Sequence, residues 1–342
     1  MNKLMRTKII GLALLVGPAT SSALEPIPEE NGVSGFLSLG IAAASIESNT
    51  LAEVASQDLS DDTIDDLGSP DSETAAFPAV AFELGYTWNG NTQIFVGNLI
   101  EDYLRFDFST RAGIRHNVGN LGRIGFSVLA TPVATKVYEN PYQTGVKRDS
   151  TDRTSEGFRF TWDEMFGTGL EIRYSAREVE LDDENSGEGI LDPDGNPLTQ
   201  NEIDSLNREG DRNTLQIRYA FTKTKENIVI GGINMLDADL DGDAMAYDGT
   251  GIELNWIHQP DTNKYVTNIL VGQRDFDDDN PVFGKKADSD YYALSFAGFY
   301  PGAWGFKDWI PNFAVVVGED SSDIGFFDTQ INLITFGFLT RF

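Results

Sequence analysis

From residue 33 to the C-terminus, apolar and polar side chains alternate with a period of two, and the spacing of an amphipathic helix is almost absent. In "AVAFELGYTW", Val80, Phe82, Leu84, Tyr86 and Trp88 fall on one side, and Ala81, Glu83, Gly85 and Thr87 on the other. "RFDFSTRAGIR" sets Phe106, Phe108 and Ile114 against Arg105, Asp107, Ser109, Arg111 and Arg115. "GLEIRYSAR" sets Leu170, Ile172 and Tyr174 against Glu171, Arg173 and Arg177, and "TLQIRYAF" sets Leu215, Ile217, Tyr219 and Phe221 against Gln216 and Arg218. Neighbouring strand residues point to opposite faces, so each segment is a strand with one greasy and one charged face. Such strands build either a soluble sandwich, apolar face inward, or a membrane barrel, apolar face outward.

Three features favour the barrel. The pattern predicts about fourteen strands, near residues 33–46, 79–88, 92–99, 105–116, 123–137, 157–162, 169–180, 213–222, 227–236, 250–258, 264–274, 290–300, 312–318 and 328–342. Short turns at 89–91, 116–122, 222–227 and 259–264 alternate with longer acidic links at 47–77, 138–156, 181–212, 237–249 and 275–289, as short periplasmic turns alternate with long outer loops in outer-membrane barrels. "PGAWGFKDWIP" (301–311) breaks the rule by being long, and "IEDY" (100–103) by being short. Secondly, Tyr86, Trp88, Phe106, Trp162, Tyr219, Phe221 and Trp256 sit near strand ends, where aromatic rings settle at the headgroup level. Thirdly, "INLITFGFLTRF" carries Ile334, Phe336, Phe338 and Thr340 in phase with the terminal Phe342, a row that would be an aggregation hazard on a soluble edge strand. The expected fold is therefore all-β, a transmembrane antiparallel barrel of about fourteen strands, with twelve or sixteen as alternatives.

The first residues form a separate unit. "MNKLMRTK", the short apolar run "IIGLALLVG" and small residues before Ala23 read as a signal peptide over residues 1–23, leaving 24–342 as the barrel. Losing Lys3, Arg6 and Lys8 moves the formal charge from -29 to -32. So acidic a chain is a poor partner for nucleic acid and a good one for divalent cations. Having no cysteine, it can form neither disulfides nor thiolate metal sites, and two histidines make a His-rich centre improbable. After the signal peptide no run reaches the ~20 apolar residues of a membrane-spanning helix.

The segments "SGFLSLG", "EDYLRFDFSTRAGIR", "TDRTSEGFRFTWDEMFGTGLEIRYSAR", "DLDGDAM" and "DSDYYALS" are similar, in order and nearly end to end, to a family of bacterial outer-membrane proteins known as domain of unknown function 2860. The resemblance implies a barrel and supplies no reaction or ligand.

Chemistry is carried by three groups of residues. In "DADLDGDAMAYD", Asp237, Asp239, Asp241, Asp243 and Asp248 fall at EF-hand spacing around Gly242, but both flanks are strands, so an EF-hand is excluded and weak calcium binding is the remaining expectation. The alternative is a solvated acidic hairpin tip. In "LDPDGNPLTQNEIDSL", Thr199 and Glu202 form a capping box for a short helix bearing Ile203 and Leu206, which could fold over the mouth or into the lumen. The run from Glu47 to Glu73 holds nine acidic residues and no basic one, and reads as a solvated, mobile loop. The lumen-lining face gathers Arg105, Arg111, Arg115, Arg159, Arg173, Arg177 and Arg218 with Glu83, Asp107, Glu171 and Glu253. This wall either conducts anions or fills the barrel with paired charges. His116 and His258 fall at the short-turn end, away from the outer leaflet, and no residues suggest catalysis.

The expected function is a passive channel or porin for small polar or anionic solutes, with no enzymatic activity and no cofactor beyond weakly bound Ca2+. The alternative is a non-conducting structural or surface-interaction barrel whose acidic outer loops bind divalent cations. The expected location is the bacterial outer membrane with both termini periplasmic. Expected partners are membrane lipid, lipopolysaccharide and the barrel-assembly machinery, which would read the final strand ending in Phe342.

Overall fold

The computed structural model describes residues 27–54, 57–58, 62–98 and 109–342. Fourteen antiparallel strands form one closed meander. They are β1 (Gly32–Glu47), β2 (Ser72–Trp88), β3 (Thr92–Asn98), β4 (Thr110–Asn117), β5 (Arg123–Ala130), β6 (Ser150–Asp163), β7 (Leu170–Leu181), β8 (Gly210–Lys223), β9 (Asn227–Leu240), β10 (Tyr247–His258), β11 (Lys264–Phe276), β12 (Ser289–Phe299), β13 (Trp309–Ser322) and β14 (Thr329–Arg341). Each pairs with its sequence neighbour, and β14 closes the ring on β1 from Phe36↔Arg341 to Glu47↔Gln330. Closure removes both sheet edges, so the aggregation hazard of the final strand is satisfied within the barrel. The predicted signal peptide, with Arg105, Phe106, Asp107 and Phe108, lies outside the described residues.

The two faces point as a membrane requires. Every strand exposes at least one large apolar side chain on the outer surface, including Ile41 (69% exposed), Ile94, Val128, Ile252 and Ile334. Inward-facing Arg115 and Arg218 are each only 2% exposed. A continuous apolar belt around charged interior walls is the inverse of a soluble sandwich, and hydrocarbon is the solvent that fits it. Among the described residues, no helix is long and apolar enough to cross a membrane.

Several strands run further than the alternation predicts, most of them at the loop end. β6 begins at Ser150 rather than 157, β2 at Ser72 rather than 79, and β9 continues to Leu240. Above the apolar belt both faces of a strand can be polar, so the apolar/polar rhythm fades while the hydrogen-bond ladder continues. The link predicted over 237–249 thereby shrinks to 241–246. Conversely, the predicted strand 123–137 stops at Ala130, and Thr135–Tyr138 forms a short loop strand paired with β6 and with Leu51–Val54.

The opposite end carries short turns, the start of β1 and the end of β14, where the Gly35 N–H donates to the Phe342 carbonyl at 3.0 Å. The long turn 301–308 has a physical reason. Trp304 (φ 54°) folds onto the outer wall with its ring 6.1 Å from Phe336, and Phe306 packs 5.2 Å from Phe338. The turn after β6 repeats the device, with Phe166 (φ 55°) placed 5.6 Å from Trp162. Left-handed backbone at an aromatic residue costs on the order of 1–3 kcal/mol, and here it lays a ring against the wall at the edge of the apolar belt. Trp256, His258, Tyr265, Phe296 and Phe313 continue this girdle with successive ring centroids 5.5–6.3 Å apart.

At the loop end, six loops fold together over the mouth. Tyr142, Leu198, Leu206, Val282, Ile324 and Phe326 are buried in a shared core, with Ile64, Leu67, Ile203 and Phe283 against it. The short helix α1 (Gln200–Asp204) contributes to this core, and the Glu202 carboxylate accepts both the Thr199 N–H and hydroxyl at 2.7 Å. The acidic segment after β1 is held to the cap as well, its Asn49 amide donating to the carbonyls of Gly68 (2.9 Å) and Phe326 (3.2 Å). Alternating carboxylates hid the few apolar residues, Ile64 and Leu67, that tie this segment down. Buried Arg148 donates to the Asn49 and Pro141 carbonyls and lies 3.7 Å from the Tyr138 ring centroid.

Candidate functional site in the barrel lumen

Inward-facing positions divide the lumen into unlike walls. On β2–β4, Glu83 accepts from Arg111 at 2.8 Å and Arg115 at 2.7 Å. Arg115 also donates to the Gln93 side-chain oxygen at 2.6 Å, and the Phe95 ring lies 5.0 Å from each guanidinium. On β7–β10, Arg173 joins Glu171 (3.1 Å) and Gln216 (3.4 Å), Gln216 donates to Asn234 (2.7 Å), and Asn234 donates to Glu253 (3.4 Å). Arg218 closes this network, paired with Glu253 and 3.7 Å from Glu171. Arg159 donates to Ser175 at 2.8 Å and Arg177 to Ser109 at 2.6 Å. Of the residues expected in the lumen, Glu83, Arg111, Arg115, Arg159, Glu171, Arg173, Arg177, Arg218 and Glu253 therefore all face inward. Seven of them form two networks on separate walls, and Arg159 and Arg177 bond to serines between these.

The remaining wall, β11–β14 with β1, turns mostly small and apolar residues inward, with Asn268, Arg274, Ser295, Asn312 and Asp320 among them. At the terminal end Phe36, Ile257, Val266, Phe299 and Leu339 pack into a buried layer across the barrel floor, with Ile228 and Ile310 against it. At the loop end Ala42, Ile46, Phe77, Val179 and Ile331 meet Leu51 and Val137 from the loops. Between these layers lies an internal cavity of about 440 Å3. Arg159, Arg177, Arg212 and Arg218 border one side, and Leu270, Ala293, Val316 and Leu333 border the other.

The candidate calcium residues are placed differently. Asp237 and Asp239 belong to β9, Asp248 to β10, and Asp241 and Asp243 to the intervening tip; all five side chains are exposed. The alternation of Asp residues is that of a strand's outward face. No group of three or more His, Asp or Glu side chains able to hold a metal occurs among the described residues. Gly242 has a packing role instead, because a Cβ there would lie 2.4–2.6 Å from backbone atoms of Ser205 and Asn207. Asp192 caps its own turn, accepting from the Asn196 side-chain amide at 3.0 Å and from the Asn196 and Asp194 N–H groups at 2.7 and 2.9 Å, and these bonds hold its carboxyl below the usual range. Burial in the cap pushes Tyr142 up to about 12. The histidines form simple pairs, His116 with Thr92 at 2.7 Å and His258 with Asn227 at 2.9 Å.

Sequence reasoning overlooked Arg123, which makes a bidentate pair with Asp163 (2.6 and 3.1 Å), and the cavity residues Arg212, Tyr247 and Arg274. Parity held the signal: Arg212 is in phase with Gln216 and Arg218, and Arg274 with Asn268 and Leu270.

The fold and its apolar belt define a transmembrane β-barrel with a partly filled lumen. The chain belongs to the family described as Protein of unknown function (DUF2860), whose model matches residues 32–339. No curated protein matches the sequence. Among solved structures, it is similar to the P. putida toluene transporter TodX, with 10% identity, a TM-score of 0.43, and coverage of 91% of this chain and 89% of that one. It is similar also to the CymD monoaromatic hydrocarbon channel (10% identity, TM-score 0.44, 92% and 89% covered) and to the channel DcaP of Acinetobacter baumannii (8%, 0.42, 91% and 98%). These likenesses are of overall shape.

Proposed function

We propose that the protein is an outer-membrane channel, both termini periplasmic, that passes small polar or anionic solutes through a central compartment closed by the loop cap. The observation that carries this reading is the internal cavity bordered by arginines, set between the cap and the floor. A barrel of this size lies between small barrels filled by side chains and large open porins, and here free volume remains in the middle of the lumen. Paired charges fix the wall, while the excess of arginine over carboxylate gives the compartment a positive potential that favours anions. The test is a planar-bilayer recording of wild type and Gly242→Ala, whose added methyl pushes the 241–246 tip away from Ser205 and Asn207. Stepwise, anion-selective conductance that increases in the variant is expected; silence from well-folded protein of both kinds overturns the reading.

A second reading, a non-conducting surface barrel that binds divalent cations, is favoured by one register. Asp237 pairs with Asp248, and Asp248 with Asp275, so three exposed carboxylates stand in a row on adjacent strands at the loop end. Like charges directly opposed on a sheet repel, and cations bridging them to lipopolysaccharide phosphates would relieve that repulsion. Calcium should then raise the melting temperature of wild type more than that of Asp248→Asn; equal shifts dismiss this reading.

A further inference from the structure

Below the cap, the upper part of the cavity is built from Arg212 on β8, Tyr247 on β10, Arg274 on β11, Tyr291 on β12 and Asp320 on β13. Arg274 is paired with Asp320 and lies over the Tyr247 and Tyr291 rings, 5.4 and 4.9 Å from their centroids. Arg212 lies 5.7 Å from the Tyr247 centroid and donates to that hydroxyl. Tyr247 in turn lies 5.1 Å, tilted, from the ring of Phe276, which packs against the cap core. The two arginines differ in one respect. Arg274 has its carboxylate, whereas among the described residues no carboxylate lies within ion-pair distance of Arg212, which is half-buried at the cavity wall.

A cation withdrawn from water without a counter-charge favours an anion strongly, and the planar guanidinium fork suits a carboxylate. The opposite surface of the cavity carries an aliphatic patch, Leu270, Ala293, Val316 and Leu333, flanked by Asn268, Ser295 and Asn312. An inorganic anion would satisfy Arg212 and leave that surface unmatched; a neutral hydrocarbon would match the surface and leave Arg212 without charge compensation. We infer that this compartment binds a small amphipathic carboxylate, its carboxyl group on Arg212 and its apolar body between the tyrosine rings and the aliphatic wall. The carboxylate displaces the Tyr247 hydroxyl from Arg212, while Asp320 keeps Arg274 in place over the rings. A cavity volume of about 440 Å3 accommodates a body the size of a single ring or a short chain. This substrate class rests on the reading that the compartment lies on the solute path, but binding and passage are separately measurable.

The test is calorimetric titration of detergent-solubilised, folded protein with three probes. Benzoate has both features, benzamide has the ring without the charge, and acetate has the charge without the ring. Benzoate is expected to bind at least about tenfold more tightly than either control, a difference of about 1.4 kcal/mol. Arg212→Gln should reduce benzoate to the level of benzamide, and Arg212→Lys, which keeps the charge but loses the fork, should fall between. Heat-modified gel mobility checks that each variant is folded. Equal binding of benzoate and benzamide, no benzoate binding, or unchanged affinity in folded Arg212→Gln overturns the site. Conductance without benzoate binding removes this site and leaves the channel; benzoate binding without conductance leaves the site and removes the channel.

Discussion

Replacing Glu83 with Ala tests whether the lumen wall is a packed ionic structure or a wet one. Glu83 is 5% exposed and is the carboxylate shared by Arg111 and Arg115. Unit charges about 4 Å apart attract by about 4 kcal/mol at an effective dielectric constant of ~20. Removing one partner of a buried pair costs about 3–5 kcal/mol, because the other charge is left desolvated. The Arg115 side chain, 3% exposed, bears most of that cost, although it keeps the Gln93 oxygen and the Phe95 ring. Arg111, at 19%, can recover some hydration. The expected loss therefore lies near the lower end, about 3 kcal/mol. The assay is reversible urea unfolding into lipid vesicles, followed by tryptophan fluorescence. A triple variant, Glu83→Leu with Arg111→Leu and Arg115→Met, should recover most of the loss, since apolar replacements remove the desolvated charges together. A loss under about 1 kcal/mol for Glu83→Ala would refute the reasoning, since that is the scale of a solvent-screened pair.

Two further outcomes are expected. The Thr199 N–H and hydroxyl hold the Glu202 carboxyl below its usual range, so its contribution to α1 is present above the ordinary glutamate value and is lost as pH falls through the lowered one. Hydrogen exchange of residues 200–206 should accelerate on acidification in wild type and be fast and pH-insensitive, after correction for intrinsic rates, in Glu202→Gln; identical profiles would dismiss the capping role. Trp304 should lie at the lipid interface, so in a variant retaining only this tryptophan, shallow brominated lipids should quench fluorescence more than deep ones. Quenching by aqueous iodide alone would place the turn in water instead.

Alternation by itself determined that Val80, Leu84 and Tyr86 share one face and Glu83 the other, that about fourteen strands follow one another, and that Thr199 and Glu202 start a helix. These are local properties, set by strand pleat and by hydrogen bonds between residues three apart. The solvent on each face is not local, and only ring closure between β14 and β1 turned the apolar row toward lipid and the arginines inward. The cap was equally hidden, because Ile64, Tyr142, Leu206, Val282 and Phe326 come from loops far apart in sequence, each too short of apolar residues to suggest a core. The "DGD" motif followed the same logic: its spacing matched calcium chemistry, while three-dimensional contact with Ser205 and Asn207 gave Gly242 its packing role. Arg212 had the right parity from the start, but that no carboxylate among the described residues reaches it was decided by the tertiary structure, because pairing depends on which strands become neighbours.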